Sequence, residues 1–285
     1  MRELEKKVQE FRERKARFTR GGPEEDVQKQ HQRGKLTARE RLELLFDPKT
    51  FVEFNLLVTS PSTDFGLDKV ETHGDGCISG WGRISGRKVL AFAQDFTIAG
   101  GSWGDMGVRK QIRTMQQAME WQVPIVFMND SGGIRPQEQH YNAPQGQGEH
   151  FFLWSTLSGV VPQLSLVMGP VAGGPCYGPP LTDFIFMVKG TSSMFIGGPS
   201  VVKALIGENV TEQELGGGEM HARVSGVASL LAEDDRECIT RAKELLAFLP
   251  QNNTEEPPRV DTGDDPERVD PDLWQVLPDN PNGPY

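Results

Sequence analysis

The amino-terminal residues follow a helical pattern of charges. Acidic and basic residues recur at spacings of three and four through residues 2–19, so this segment predicts a surface helix that packs lightly on the rest of the protein. Its thin apolar stripe consists of Leu4, Val8, Phe11 and Phe18. Glycine and proline at positions 21–23 end the helix, and we expect a polar connector up to Lys35.

A capping box then begins a second helix. The Thr37 hydroxyl and the Glu40 carboxylate are spaced to satisfy each other's backbone N–H groups. An apolar run follows and stops at Asp47-Pro48, which predicts a short helix. The next segments alternate like β-structure and predict one strand over residues 51–56 and a hairpin over residues 77–84 and 88–94.

The central part of the chain repeats one motif: an apolar strand that runs into a glycine pair. A long amphipathic helix is predicted over residues 105–121 and another helix over residues 148–159. Buried strands are predicted over residues 124–128, 163–168, 183–188 and 193–196. Three of these strands lead to Gly132-Gly133, Gly173-Gly174 and Gly197-Gly198. This rhythm is typical of an α/β layered fold with ligand contacts at the strand ends.

The carboxyl-terminal part changes from helical to irregular. A second capping box at Thr211 and Glu214 predicts a helix with Gly216 as its C-cap, and a last long helix is predicted over residues 234–249. Residues 251–285 are rich in proline and acidic side chains, which indicates an extended tail or linker. We expect Leu273, Trp274 and Val276 to anchor it.

Composition excludes several classes of protein. The 285 residues are 36% hydrophobic and carry a net charge of −10, which disfavours nonspecific binding to nucleic acid. No apolar stretch is long enough for a membrane span, and the charged amino terminus does not resemble a signal peptide. Cys77, Cys176 and Cys238 lack the spacing of a zinc site, so we expect no metal, reduced thiols and a cytoplasmic location.

The charge is unevenly distributed. Residues 1–41 hold 13 basic and 8 acidic side chains, whereas residues 250–285 hold 2 and 9. The basic region is either a solvated helix or a surface for a phosphate-bearing ligand.

Glycine pairs after buried strands suggest a specific chemistry. A residue without Cβ adopts positive φ and lets N–H groups turn toward one point. Two such turns on neighbouring strands can form an oxyanion hole, but each can equally be a simple tight turn. From the pattern alone both interpretations stay open.

Several motifs resemble those of the carboxyltransferase subunits of propionyl-CoA carboxylase and its relatives. They are Lys35-Leu36-Thr37-Ala38-Arg39-Glu40-Arg41, Gln94-Asp95-Phe96-Thr97, Gly100-Gly101-Ser102, Asn129-Asp130-Ser131-Gly132-Gly133, Met168-Gly169-Pro170-Val171-Ala172-Gly173-Gly174, Leu181-Thr182-Asp183-Phe184 and Glu214-Leu215-Gly216-Gly217. The resemblance runs in order from about Lys35 to the end of the chain.

This resemblance implies an α/β fold of the crotonase/ClpP type, a layered β-β-α superhelix. Family members are about twice as long and contain two such halves, of which the first binds acyl-CoA and the second supplies the biotin pocket. The chain resembles the first half. We expect a charged helix and connector over residues 1–34, the crotonase-like domain over residues 35–250, and a tail or linker over residues 251–285.

The resemblance also implies a mechanism without a general-base side chain. Carboxybiotin releases CO2, the freed biotin nitrogen takes the α-proton of the acyl-CoA, and the resulting enolate attacks CO2. By position, the amides around Gly173 and Gly174 are expected to hold the thioester oxygen, and Gly132, Gly133 and Ile134 to line the transferred carboxylate. Substrate contacts are expected from Ser131, Gly132, Ala172, Gly100 and Gly101.

The implied partners follow from the same family. They are acyl-CoA, biotin on a separate carrier protein or domain, a biotin carboxylase subunit and the carboxyl-terminal half, in a homo-oligomer with sites at subunit interfaces. Alternatives are a biotin-dependent acyl-CoA decarboxylase, a stand-alone hydratase or isomerase that uses Glu138 and Glu149, and a catalytically silent CoA-binding module.

Some residues depart from the family pattern or suggest other chemistry. Pro175 replaces the usual alanine and has no N–H, although proline is well tolerated at a helix start. The segment over residues 135–147, which includes His140, also differs, and we expect it to shape the acyl pocket. Cys176 is a weak candidate nucleophile, because no neighbouring motif supplies a base.

Overall fold

The computed structural model describes residues 3–138 and 146–284. The helices are α1 Glu3–Thr19, α2 Glu24–Gln32, α3 Ala38–Leu45, α4 Asp105–Trp121, α5 Gly146–Leu157, α6 Pro199–Ile206, α7 Glu212–Gly216, α8 Gly218–Arg223 and α9 Asp235–Phe248. The strands are β1 Val52–Phe54, β2 Cys77–Ile84, β3 Arg87–Gln94, β4 Ile125–Ser131, β5 Gln163–Ala172, β6 Phe184–Val188, β7 Ser193–Phe195 and β8 Leu230–Ala232. Short 3₁₀ turns span Asp64–Lys69, His73–Gly76, Ala99–Gly101, Pro136–Glu138, Gly174–Tyr177, Pro179–Leu181 and Pro271–Gln275.

The strands form one mixed sheet in the order β1-β2-β3-β4-β5-β6-β8, and β7 pairs with β5 beyond the end of β6. The β1-β2 and β2-β3 pairs are antiparallel, whereas every pair from β3 onward is parallel. Strands β4 and β5 therefore end at the same edge of the sheet, which brings the residues after them together.

Helices cover both faces of the sheet. On β4, Val126 and Met128 point into the layer formed with α3 and α9, whereas Ile125 and Phe127 point to α4 and α5. This alternation explains why β4 reads as a continuous apolar run, because both of its faces are buried. The predicted α/β layering is confirmed.

Local signals predicted several elements well. The hairpin, the helix α4 and both capping boxes are confirmed, and α7 ends one residue later than expected, with Gly217 as its C-cap. The prediction of a polar connector up to Lys35 is wrong, because helix α2 forms within that segment. Acidic residues occupy the first turn of α2 and Lys29 and His31 its last turn, which complements the helix dipole.

Strand β5 extends further than predicted. Gly169 and Pro170, assigned to a glycine turn, remain in the strand, and Pro170 pairs with Ser193 where β5 changes its neighbour from β6 to β7. A proline is tolerated there because the regular ladder is interrupted. The turn begins only at Gly173.

The tail beyond residue 250 is held at its start, where the buried Asn252 donates to the Gln122 carbonyl oxygen over 3.0 Å, and not by its apolar residues. Leu273, Trp274 and Val276 are 65%, 81% and 55% exposed, so the expectation that they anchor the tail is wrong for the part of the chain described. The division at residues 34 and 250 stays a prediction. Within residues 3–138 and 146–284, no helix has the length and apolar composition needed to cross a membrane.

Candidate active site

Two of the predicted glycine turns lie against each other. Ser131 ends β4 and pairs with Val171 of β5, so the turns that follow the two strands leave the sheet side by side. A Cβ built on Gly133 would lie 3.4 Å from the Ala172 carbonyl oxygen, and one built on Gly174 would lie 2.6 Å from Ile134 Cδ1. The turns are therefore in direct contact.

Backbone conformation explains the need for glycine at two of these positions. Gly133 has φ +119° and Gly173 has φ +66°, a region that residues with a Cβ rarely adopt. Pro175 is the second residue of the 3₁₀ turn that follows, where its missing N–H costs nothing.

Hydrogen bonding separates the amides that hold the turns from those that remain free. Gly132 N donates to Gly100 O over 2.9 Å, and Gly173 N donates to Phe195 O over 3.1 Å. Gly133 N donates to Ser131 Oγ over 3.2 Å.

The N–H groups of Ile134 and Gly174, by contrast, have no acceptor within the described residues. These two free amides on touching turns, here called the amide pair, are the donors still available for a ligand oxygen.

A third glycine turn supports the turn that follows β4. The 3₁₀ turn Ala99–Gly101 follows β3, and a Cβ on Gly101 would collide with the Asp130 carbonyl oxygen. Trp103 N donates to Gly133 O over 2.9 Å, and Arg135 N donates to Trp103 O over 3.0 Å. Gly100 and Gly101 therefore act as scaffold to the turn that carries Gly132, Gly133 and Ile134.

A buried ion cluster fixes the start of this turn. Asp130 accepts from Lys35 Nζ at 2.7 Å, Arg41 Nη1 at 2.8 Å and Gln30 Nε2 at 2.9 Å. Arg41 Nε also donates to Asp235 over 2.7 Å, and all of these side chains are buried. Burial lowers the pKa of Lys35 and raises that of Asp235. No local pattern in the sequence predicts this cluster, because its members lie far apart in the chain.

Glu138 and Glu149, the candidate acid and base of a hydratase, are both engaged. Glu138 is buried, pairs with Arg135 Nη1 at 3.0 Å and accepts from Asp105 N at 3.2 Å. Glu149 accepts from Gln116 Nε2 over 2.7 Å. Neither carboxylate is arranged as a free proton acceptor, which argues against side-chain acid–base catalysis by this pair.

A partly open aromatic cavity adjoins the amide pair at Gly174. It has a volume of about 240 Å³ and is lined by Trp103, His150, Phe151, Trp154, Gly174 and Tyr177. The His150 ring lies 5.0 Å from that of Trp103 and 5.2 Å from that of Trp154. No motif in the sequence predicts this cavity. A helical repeat of aromatic residues in α5 was its only signal, and that repeat is more often core.

His150 is the unusual group in this cavity. It is 1% exposed, and neither ring nitrogen has a hydrogen-bond partner within the described residues. Burial lowers its pKa to about 3, so the ring is neutral at physiological pH. Burial also raises the pKa of the nearby Cys176 thiol to about 11, which argues against a nucleophilic role.

A larger cleft lies beside the turn that follows β3. It has a volume of about 630 Å³, and Gly100 forms part of its wall. Lys29, Arg33 and Lys69 line it together with two carboxylates, Asp26 and Glu71. The predicted basic amino-terminal region thus contributes two of its three cations to a cleft and not only to a solvated helix.

A further histidine, His221, lies on helix α8. His221 bonds the Met194 carbonyl and the Ser225 hydroxyl, each at 2.8 Å. Its contacts are structural. His140 lies outside the described residues. Among those described, no three His, Cys, Asp or Glu side chains are grouped so as to hold a metal ion.

Comparison with known proteins gives a consistent result. The Carboxyl transferase domain family matches residues 29–285. Methylmalonyl-CoA decarboxylase subunit alpha of Veillonella parvula is 50% identical over 282 residues, which cover 99% of this chain and 55% of the relative. The carboxyltransferase subunit of propionyl-CoA carboxylase from Haloferax mediterranei is 45% identical over 282 residues, with coverages of 99% and 54%.

Solved structures of carboxyltransferase subunits have a similar fold. Transcarboxylase 12S with methylmalonyl-CoA and methylmalonic acid bound superposes with a TM-score of 0.88 at 46% identity, over 91% of this chain and 51% of that one. The beta subunit of geranyl-CoA carboxylase from P. aeruginosa has a TM-score of 0.71 at 34% identity, with coverages of 91% and 46%. The predicted crotonase-like fold class is confirmed. The chain spans about half the length of the relatives that it matches.

Proposed function

Because this chain belongs to the Carboxyl transferase domain family, we propose that it is the acyl-CoA-binding half of a biotin-dependent carboxyltransferase. The observation that carries the proposal is the amide pair: two free N–H groups, of Ile134 and Gly174, on touching turns at the ends of adjacent strands. Donors fixed in this way stabilise charge that develops on an oxygen, since they need no reorganisation during the reaction.

The chemistry assigned to the chain is the stabilisation of an enolate. The thioester oxygen of an acyl-CoA accepts from Gly174, and Ile134 with Gly133 faces the carboxylate that is transferred. Gly173 contributes through its conformation, because its own N–H is bonded to Phe195. Removal of the α-proton makes the thioester oxygen negative, and the Gly174 amide binds that oxygen more strongly than the neutral carbonyl.

The base for this step is proposed to come from outside the chain. Glu138 is held in an ion pair, and His150 is buried with a pKa of about 3. Carboxybiotin on a separate carrier supplies CO2 and then a ureido nitrogen that takes the proton. The carrier protein, a biotin carboxylase subunit and the carboxyl-terminal half are therefore the proposed partners.

The CoA nucleotide is proposed to occupy the cleft lined by Lys29, Arg33 and Lys69. Its phosphates need cations, and the cleft is joined to the amide pair through Gly100, whose carbonyl binds the Gly132 amide. Ser131, Ala172 and Gly101 are assigned to shaping the path between the two sites.

An exposed apolar surface is proposed as the contact for a carboxyl-terminal half. Helix α6 has no buried residue, and Val201, Leu205 and Ile206 are exposed on it. An apolar surface of this kind favours a protein partner. We assign it to a carboxyl-terminal half that is paired with another copy of this chain in a homo-oligomer, and we place the assembly in the cytoplasm.

The direction of the reaction has two candidates. Carboxylation and decarboxylation use the same half-reaction, and the relatives include a decarboxylase subunit at 50% identity and a carboxylase subunit at 45%. In both directions the carboxyl group is transferred to or from an acyl-CoA through the same enolate.

The test is an assay of carboxyl transfer over several acyl-CoAs, with and without the carboxyl-terminal half and a biotinylated carrier. The chain alone is expected to bind acyl-CoA in calorimetry and to transfer carboxylate only when both partners are added. Binding without transfer in the complete mixture would indicate a silent CoA-binding module. Enoyl-CoA hydration by the chain alone would indicate the hydratase alternative.

A variant pair tests the amide pair itself. Gly174→Ala places a Cβ 2.6 Å from Ile134 Cδ1, so Ile134 must move and acyl-CoA affinity should fall about tenfold, or about 1.4 kcal/mol. Adding Ile134→Ala removes the clash and should restore part of the affinity. Gly148→Ala is the control, because its Cβ meets no atom within 4 Å. Equal affinity in all variants would contradict the site assignment.

A further inference from the structure

We propose that the aromatic cavity is an acyl pocket that selects acyl-CoA thioesters with a bulky, uncharged, planar group beyond the α-carbon. The inference rests on the proposed function and adds the substrate class to it. It is carried by three observations: the position of the cavity, its lining and its size.

The cavity lies next to the amide pair that is proposed to hold the reacting thioester. Gly174 belongs both to the amide pair and to the cavity wall, and Trp103, another wall residue, lies 3.9 Å from a Cβ built on Gly174. An oxygen held by the Gly174 amide is one bond from the thioester carbon. One substituent of that carbon is the pantetheine arm, which must run toward the cleft beyond Gly100. The other substituent, the acyl chain, is then directed into the cavity.

The lining favours a flat and uncharged occupant. The rings of Trp103, His150 and Trp154 stand in series, and Phe151 and Tyr177 close the cavity at 5.7 Å from each other. Aromatic faces pack well against planar groups. None of the described lining residues carries a charge, and His150 is held neutral by burial. A carboxylate or ammonium in this cavity would lose its hydration without a compensating partner.

The size of the cavity exceeds what a short acyl group fills. A dry apolar cavity of about 150 Å³ holds a benzene molecule, whereas this cavity measures about 240 Å³. The methyl group of a propionyl thioester would leave most of it empty. A six-membered ring fills most of it, and the two unpartnered nitrogens of His150 can then bond a hydroxyl or carbonyl on that ring.

The experiment compares binding of phenylacetyl-CoA, propionyl-CoA and succinyl-CoA to the chain by calorimetry. Phenylacetyl-CoA should bind at least about tenfold more tightly than propionyl-CoA, because extra apolar groups in a fitting pocket contribute at about this level. Succinyl-CoA, which carries a carboxylate, should bind no better than propionyl-CoA. Equal binding of phenylacetyl-CoA and propionyl-CoA would overturn the inference.

Two adjacent phenylalanines provide a matched pair of variants. Phe151 lines the cavity, whereas Phe152 on the same helix does not and is 65% exposed. Phe151→Ala should reduce the preference for phenylacetyl-CoA to about threefold or less, and Phe152→Ala should leave it unchanged. Both variants must retain the wild-type melting temperature within a few degrees. If Phe151→Ala does not fold, His150→Leu replaces a ring inside the cavity and should reduce the same preference.

The two proposals fail in different ways. If no acyl-CoA binds at all, the proposed function fails. If all three thioesters bind equally well and Phe151→Ala changes nothing, the acyl pocket fails while the proposed function stands.

Discussion

The buried ion cluster around Asp130 allows a test of its contribution to stability. Asp130→Asn keeps the size of the side chain but removes its negative charge. Lys35 and Arg41, which lie 2.7 and 2.8 Å from its oxygens, are then left with Asp235 as the only anion of the cluster. All four side chains are buried, so water cannot replace the lost partner.

The magnitude follows from burial. Removing one partner of a buried ion pair leaves an uncompensated charge and typically costs about 3–5 kcal/mol. We therefore expect Asp130→Asn to lower the free energy of unfolding by about that amount. An exposed ion pair contributes only about 0.2–1 kcal/mol. Lys29→Met is the control, because Lys29 is 53% exposed while paired with Glu25 and Asp26.

Urea denaturation followed by circular dichroism measures these differences. Lys35→Met should also destabilise the protein. The stability loss of the Asp130→Asn/Lys35→Met double variant should be smaller than the sum of the two single losses by about 1 kcal/mol or more. A loss for Asp130→Asn no larger than that for Lys29→Met would refute the idea that the buried ion cluster stabilises the fold.

The pH dependence of the variant provides a second check. Burial already lowers the pKa of Lys35 below its ordinary value of 10.5, so the folded chain binds fewer protons than the unfolded chain as the pH approaches 10.5. Stability linked to Lys35 must therefore rise with pH in that window. Loss of the Asp130 charge lowers the Lys35 pKa further, so the gap between Asp130→Asn and wild type should narrow as the pH is raised from 7 toward 10.

Three further predictions concern single positions. Thr37→Ala removes the confirmed capping box of α3 and should cost about 0.5–2 kcal/mol in urea denaturation, with the nearby Thr50→Ala as a comparison outside any helix cap. Gly101→Ala drives a Cβ into the Asp130 carbonyl oxygen at positive φ, and should cost at least about 1–3 kcal/mol and weaken acyl-CoA binding in calorimetry. Burial raises the pKa of Asp95 above its ordinary 3.8, so the stability contributed by the Asp95 carboxyl is lost as the pH rises from 3.8 through the folded pKa. Asp95→Asn should therefore be more stable than wild type at pH 7 and not at pH 3. An equal difference in stability at both pH values would contradict this sign.

The sequence by itself determined those elements whose causes are local. The hairpin of β2 and β3, the helix α4 and the capping boxes depend on residues close in the chain, and the structure confirms them. The family motifs also placed the glycine turns at strand ends, because they follow apolar runs directly. The functional roles of those glycines stay predictions that the proposed variants test.

Only the tertiary structure decided which backbone groups are free. Gly173 and Gly174 look equivalent in the sequence, yet the Gly173 amide is used by Phe195 and the Gly174 amide is not. The choice depends on β7, which pairs with the end of β5. A pattern within one turn contains no information about that partner.

The same limit applies to the ion cluster, the aromatic cavity and the tail. Lys35 and Asp130 are 95 positions apart, and His150 meets Trp103 only after α5 folds onto α4 and the turns beside it. The apolar residues of the tail suggested anchors, but the described part of the chain buries none of them. Hydrogen bonds and caps act over a few residues and are visible in the sequence. Burial, charge pairing and cavity shape depend on segments that only folding brings together.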